Sequence, residues 1–376
     1  MKIIHTSDWH LGMSVGTGSY RDCQIHFLQG LYNLIRTENA GAVICAGDVF
    51  DSSVTNAEAI SLFNDAAATI CSELGVPFLV IAGNHDGAAR LAAHRQLLRA
   101  ASFHVTGRLE RDIQPVLLDG GTVAVYLLPF FNKEEAIALL PERKEDIRSQ
   151  ETAMMAVCEH IRENMDPDRF NIIVSHALIV DAELSESDRS ARVGFATAVS
   201  KDVFEGFDYV ALGHIHKPQV IAPHIRYSGS PIAYSFGKEE TQEKGVVVLD
   251  TDTNSQRFVP LPQLRGRHTV EGTFEEILAR EDLKNDYLRL KVTDKYAGLE
   301  LQAQLRERFP YLLEVYGMSL TEGEELSSLS VEELEKLDET DIMKKFMGEH
   351  FQYSPTESQR ALFREVLEWS RKEEEA

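Results

Sequence analysis

Five apolar runs in the first 216 residues each lead into a short polar motif, and this repeated ending constrains the fold more than any other feature of the chain. Residues 2–5 lead into Asp8-Trp9-His10, residues 42–46 into Gly47-Asp48-Val49-Phe50-Asp51, and residues 78–82 into Gly83-Asn84-His85-Asp86. Residues 171–174 lead into Ser175-His176, and residues 209–212 into Gly213-His214-Ile215-His216. Short apolar runs bounded by turn-forming residues read as buried strands. Helical stretches are predicted over residues 20–37, 56–74 and 147–164, so strands and helices alternate and stack in layers. Strands at 123–128, 226–228 and 246–250 follow without helices between them, so part of the sheet is antiparallel or mixed. A two-sheet core flanked by helices is expected. The polar motifs then gather at strand ends, where α/β sheets carry their sites.

The residue types in those motifs narrow the chemistry. Imidazole with carboxylate or amide oxygen suits divalent first-row metals such as manganese, iron or zinc, and no thiol is involved. Asp8 and His10 lie two apart at a strand end and can reach one side of a site; His214 and His216 repeat that geometry from another strand. Asp48 is the natural bridging carboxylate. Asn84 and His176 complete the surroundings of a second metal, which leaves His85 beside the pair for proton chemistry. A lone Asp-x-His or His-x-His is common by chance, and Gly-Asn-His-Asp alone is an ordinary turn. The conjunction is what argues for one site, since five of the thirteen histidines fall inside the motifs. His5, His26, His94, His104, His160, His224, His268 and His350 read as ordinary core or surface histidines.

Composition sets the outer bounds. A chain of 376 residues, 43% apolar, supports a large core and more than one domain. No secretory apolar core forms near the N-terminus and no run is long enough to span a bilayer, so a cytoplasmic protein without a membrane segment is expected. Cys23, Cys45, Cys71 and Cys158 form no CxxC pair and read as reduced core thiols. The net charge of −22 argues against contact with polyanions unaided. Bound cations, however, invert the local sign of an acidic site, and a basic partner can supply a phosphate grip.

Three segments are expected. Residues 1–263 carry the motifs. After Pro260 and Pro262, residues 264–320 read as a small α+β module: a strand, a helix opened by a Thr273 and Glu276 capping box, a strand over 287–292, a helix over 299–308 and a strand over 312–316. Residues 321–376 read as a helical tail, with 16 acidic against 7 basic residues from Ser319 onward. Ser330 with Glu333 and Ser354 with Glu357 form capping boxes, the second with Pro355 at the first helical position. Ile342, Met343, Phe346 and Phe351 make one apolar stripe and Leu362, Phe363, Val366 and Leu367 another. Either stripe serves the protein's own core or a docking partner.

The motif segments His5 to Gly12, Ala46 to Asp51, Ala82 to Asp86, Ala211 to His216 and Tyr227 to Pro231 resemble those of the calcineurin-like metallophosphoesterases, and in detail the bacterial SbcD family of nuclease subunits. The resemblance is strong to about residue 265; beyond it, length and segment order match better than residues do. Asp51 stands where archaeal and eukaryotic relatives usually show histidine. The resemblance implies a four-layer α/β/β/α sandwich with a small capping domain and a helical tail. It implies that Asp8, His10, Asp48 and His216 hold one metal, and Asp48, Asn84, His176 and His214 another. Manganese is the implied ion, with magnesium or another first-row metal as substitutes. His85 would contact the phosphate or protonate the leaving oxygen, and Asp51 would orient its imidazole, a helix-capping role being the plainer reading of Asp51. The implied activity is cleavage of DNA: exonucleolytic from 3′ to 5′ on duplex ends, and endonucleolytic on hairpins and single strands, in repair and recombination. The implied partners are a second copy and an SbcC-type coiled-coil ATPase, docked on the tail between Ile342 and Arg371 in a heterotetramer. Arg90, Arg95, Arg99, Arg108, Arg111, Arg189, Arg192 and Lys201 are candidates for gripping phosphates, and equally for solvated faces. A small-nucleotide phosphodiesterase explains the acidity better, and a scaffold with purely structural metals is the non-catalytic alternative.

Overall fold

The computed structural model describes residues 1–15, 18–188, 197–294 and 299–317, with Thr356, Gln359, Arg360 and Phe363 beyond them. Two six-stranded mixed sheets form its centre. The first runs, edge to edge, through Ser255–Pro260, Gly245–Asp250, Lys2–Thr6, Ala42–Ala46, Phe78–Ile81 and Phe103–Thr106. Its last four strands are parallel, while Gly245–Asp250 pairs antiparallel with Lys2–Thr6. The second sheet runs through Gln219–Ala222, Ile225–Tyr227, Tyr209–Gly213, Phe170–His176, Val123–Leu128 and Val116–Leu118, again with a parallel centre. The expected antiparallel additions are the strands at its edges and at one edge of the first sheet.

The two sheets meet over a dry interface in which Ile3, Ile44 and Leu79 of one face Val125, Ile172 and Ala211 of the other. On the outer side of the first sheet lie helices Arg21–Glu38 and Ala57–Ala68, which bury Phe27, Leu31, Ile35 and Phe63 at helical spacing. The outer side of the second carries Lys133–Leu139 and Gln150–Arg162. Four layers follow, as expected. Local chemistry sets the helix ends. The Asn56 side chain accepts the Ala59 N–H, and Ser149 with Thr152 closes a capping box, so the third long helix starts at Gln150 and not at residue 147.

Beyond Pro262, strands Arg267–Gly272, Tyr287–Val292 and Leu312–Gly317 form a parallel three-stranded sheet. Helix Phe274–Leu278 opens with Thr273 and Glu276 capping each other, and Leu299–Arg308 precedes the last strand. The module has its own small core of Ile277, Leu288, Leu290, Leu305 and Phe309. It nevertheless belongs to one compact unit, Met1–Met318. The remaining residues, Ser319–Ala376, form a second unit, and the tail stripes and the Ser330 and Ser354 capping boxes lie outside the described residues, Phe363 excepted. There Thr356 and Gln359 bond reciprocally, each backbone N–H donating to the other's side chain. Among the described residues no helix is long and apolar enough to cross a membrane. Cys23, Cys45 and Cys158 are buried thiols and Cys71 is half-buried, all unbridged.

Candidate metal centre

The parallel strands of both sheets release their motifs at the same end of the sandwich. The first lays out its ligands by alternation: Asp8 and His10 turn toward the site, while Trp9 between them turns into the core. The Trp9 ring stacks on Phe78 with centroids 5.8 Å apart, and its indole N–H donates to Thr6 Oγ1 at 2.9 Å. Ile215, wholly buried, separates His214 and His216 in the same way. Asp8, His10, Asp48 and His214 all have positive φ, which non-glycine residues rarely adopt. Gly83 allows the closest approach of two motif loops, since a Cβ there would land on the Asp48 carboxylate.

Seven side chains converge. The Nε2 atoms of His10 and His216 face each other at 3.0 Å, and Asp8 joins them in a cluster of donor atoms within 4.8 Å. Asp48, His176 and His214 form a second such cluster. Asn84 Oδ1 lies 3.0 Å from His176 Nε2 and 2.9 Å from His214 Nδ1. Asp48 stands between the groups, with Oδ2 3.3 Å from His176 Nε2 and 3.9 Å from His10 Nε2. The seven expected residues are thus brought together, with Asp48 grouped with His176 and His214 and 3.9 Å from His10.

Hydrogen bonds aim these donors. His176 Nδ1–H donates to the Ala46 carbonyl at 2.8 Å, so Nε2 points to the site. On His216, Nδ1 meets Ser187 Oγ at 2.7 Å; that hydroxyl in turn donates to Glu239, which forms a fully buried ion pair with Lys244 at 2.9 Å. Ser7 Oγ donates to Asp8 at 2.5 Å. The carboxylate of Asp86 accepts the backbone N–H groups of Val49, Phe50 and Gly83, at 2.8 to 3.2 Å, and so fastens the Asp48 loop to the Asn84 loop.

Electrostatics complete the case for a cation site. Burial opposes ionisation of Asp48, but the His176 charge and hydrogen bond, with His10 behind them, hold its carboxyl well below the ordinary range. Burial likewise opposes the charge on His176, and Asp48 overcomes it, raising that imidazole to about 9. Burial, then the His176 charge, lowers His214 to about 3, and burial with His10 lowers His216 well below the usual value. His214 and His216, neutral beside ionised Asp48, are donors of the kind that divalent first-row ions prefer, and two Nε2 atoms aimed at one point are a pairing that a cation relieves.

His85 lies beside the clusters and lines a cavity of about 330 Å³ together with Asp48, Asp51, His214 and His216. Its backbone N–H donates to Asp48 Oδ1 at 2.9 Å. Its Nδ1–H donates to the Asp51 carbonyl at 2.8 Å, leaving Nε2 as the free ring nitrogen. The expected orientation by Asp51 is therefore made by its backbone carbonyl; its carboxylate lies 3.5 Å from His10 Nδ1 instead. A backbone contact follows from the tight turn that brings residue 51 back under residue 85, which side-chain identity does not reveal. His5, read as an ordinary core histidine, is buried between the sheets, where it bonds Tyr209 and Leu212 across them.

Among the described residues, none of the arginines expected to grip phosphates lines this cavity. Arg95 is ion-paired with Glu110, Arg95 and Arg99 line a separate cavity, and Arg189 and Arg192 lie outside the described residues. The basic residues that do line it are Arg267 and Arg289 of the small module. No sequence signal singles them out, because nothing in residues 264–320 tells which edge of that module faces the motifs.

Comparison with known proteins agrees with this geometry. Residues 1–218, more than half of the chain, match the calcineurin-like phosphoesterase family, and residues 257–351 match the type 5 capsule protein repressor C-terminal domain. The SbcD subunit of the SbcCD nuclease of Staphylococcus epidermidis is 30% identical over 353 residues, covering 92% of each chain. Its namesake from Staphylococcus saprophyticus is 28% identical over 379 residues, covering 98% of this chain and 99% of its own. The chain belongs to the calcineurin-like phosphoesterases and, within them, to the family of these SbcD nuclease subunits. Divalent metal ions are the rule for that class, and the two donor clusters fit them.

Proposed function

We propose that the protein is the nuclease subunit of an SbcCD-type complex, hydrolysing DNA phosphodiester bonds at a two-metal centre. The observation that carries this reading is the pair of donor clusters joined by Asp48. Asp8, His10, Asp48 and His216 would hold one ion; Asp48, Asn84, His176 and His214 would hold the other, with manganese the ion of choice. Bound there, divalent cations supply positive charge for a phosphodiester and acidify water for in-line attack. The remaining steps belong to the chain. His85, fixed through Nδ1 by the Asp51 carbonyl, presents Nε2 to the cavity, where as an imidazolium it donates a proton to the leaving oxygen. The Asp51 carboxylate sits beside His10 and positions that ring.

The reading extends to exonucleolytic cleavage from 3′ to 5′ on duplex ends and endonucleolytic cleavage of hairpins and single strands. Residues 264–320 act as a capping domain over the substrate. Residues 321–376 carry the docking helices for an SbcC-type ATPase, with two copies of each chain in the complex. The test is an end-labelled duplex and a hairpin, each incubated with the chain and manganese or magnesium, with and without the ATPase and ATP. Shortening of the labelled strands supports the reading. Efficient hydrolysis of a cyclic nucleotide with DNA left intact even beside the partner would favour the small-nucleotide phosphodiesterase, and inactivity on both would favour the scaffold.

A further inference from the structure

Arg267 is an unusual side chain for the wall of an acidic site. Its residue is 4% exposed, yet among the described residues no carboxylate lies within ion-pair distance of its guanidinium. Its neighbour Arg289 has taken the nearby acid, pairing with Glu314 at 2.7 Å. Aromatic rings supply most of what surrounds Arg267: its guanidinium carbon lies 4.6 Å from the centre of the Phe236 ring and 5.4 Å from those of Tyr20 and Tyr287. One NH2 donates to the Tyr20 hydroxyl, and Nε has no partner. Buried charge without a paired counter-charge is costly, and aromatic faces offset only part of that cost. The arrangement persists because the rings hold the planar fork in place, and the cavity it lines is the one floored by His10, Asp48 and His85.

We propose that Arg267 is a binding subsite for a second phosphate of the substrate strand, the internucleotide phosphate flanking the scissile one. The proposal rests on the phosphodiesterase reading above and deepens it. A guanidinium is the side chain best matched to a phosphate, offering two parallel N–H donors, and of the Arg267 nitrogens one NH2 is taken by Tyr20. Both guanidiniums approach the Phe236 ring, Arg267 at 4.6 Å and Arg289 at 4.4 Å from its centre, so one ring gathers both on this wall, Arg289 with Glu314 as its counter-charge. The wall comes from the first two strands of the module and from residue 236, so the capping segment would select for a strand bearing consecutive phosphates over a lone diester. This also answers the charge objection locally: a chain of net charge −22 keeps buried positive charge where the strand must lie.

The test compares three substrates of the manganese-loaded, full-length protein: bis(p-nitrophenyl) phosphate, which has no flanking phosphate; a short single-stranded oligonucleotide; and the same oligonucleotide with neutral methylphosphonates on both sides of one cleavable bond. The wild-type protein should cleave the native bond about 10- to 100-fold more efficiently than the methylphosphonate-flanked one, the effect of one charged hydrogen-bonded contact. Equal cleavage overturns the proposal without any variant being needed. Arg267→Gln should lose about 10- to 100-fold more on the oligonucleotide than on the nitrophenyl ester, chiefly through KM, with Arg267→Lys intermediate. Equal losses on both substrates mean a structural role and overturn it. Without metal, in chelator, the salt dependence of oligonucleotide binding should fall by a slope of about 0.7 in Arg267→Gln, the share of one phosphate on a single strand; an unchanged slope overturns it. Failure of the wild-type protein to cleave any of the three substrates would instead refute the phosphodiesterase reading itself.

Discussion

Asp8, His10, Asp48 and His214 stand at φ of 54°, 43°, 49° and 100°, conformations that cost of order 1–3 kcal/mol each and persist only where neighbours over-determine them. Trp9 is one such neighbour, buried completely between two ligands. Trp9→Ala should cost about 3–5 kcal/mol in chemical unfolding, and weaken metal uptake as Asp8 and His10 lose their anchor. Asp48→Asn should leave the fold intact and reduce bound metal, measured by elemental analysis, below one ion per chain, because its carboxylate belongs to the His176 and His214 cluster and lies 3.9 Å from His10 of the other. The sign of the pH dependence follows from His176. Its imidazole is raised to about 9 by Asp48 against the cost of burial, so the pair stabilises the metal-free protein fully below the unfolded value and loses that contribution as pH rises through 9. A cation must displace this proton, so apparent metal affinity should rise about tenfold per pH unit from pH 7 toward 9, read by calorimetric titration with proton release. The residues that converge on the site were legible in the sequence because each follows a recognisable apolar run. The work of Asp86 was not, since its partners are backbone N–H groups, two on the Asp48 loop and one on its own.

At the scale of elements, strand ends fixed where chemistry can occur and caps fixed where helices begin. The strands ahead of the motifs were readable from their apolar runs and the small module from its order of elements, including the Thr273 and Glu276 box. Thr273→Ala should cost about 1 kcal/mol, as a lost N-cap does, lowering the melting temperature modestly while metal content stays the same. What periodicity could not give was the allocation of strands to two sheets. Tyr209–Gly213 and Lys2–Thr6 are both largely buried strands, yet they lie in different sheets, joined across the interface by His5 to Tyr209 at 2.9 Å. Nor could it place the Asp51 carbonyl under His85, because backbone direction in a turn leaves no trace in residue type.

At the scale of the molecule, the motifs define the reaction and the later segments bear on the substrate. The acidic balance argued against unaided binding to DNA, and Arg267 puts a positive charge on the cavity wall beside the Arg289–Glu314 ion pair. If the tail stripe read from the sequence docks the ATPase, Leu362→Glu with Val366→Glu should weaken capture of that partner at least about tenfold, a loss of roughly 1.4 kcal/mol, and leave hydrolysis of bis(p-nitrophenyl) phosphate by the isolated chain as it was. The central claim is that the clusters about Asp48 would hold two ions and that His85 beside them protonates the leaving oxygen of a phosphodiester. Its most direct measurement is cleavage of an end-labelled duplex by the manganese-loaded complex, wild type beside His85→Asn, with bound metal counted in the same samples. The account predicts two ions per chain in both and a loss of about 10²- to 10⁴-fold in cleavage for His85→Asn, the range of general acid catalysis. Unchanged cleavage by His85→Asn with its metal in place would contradict it.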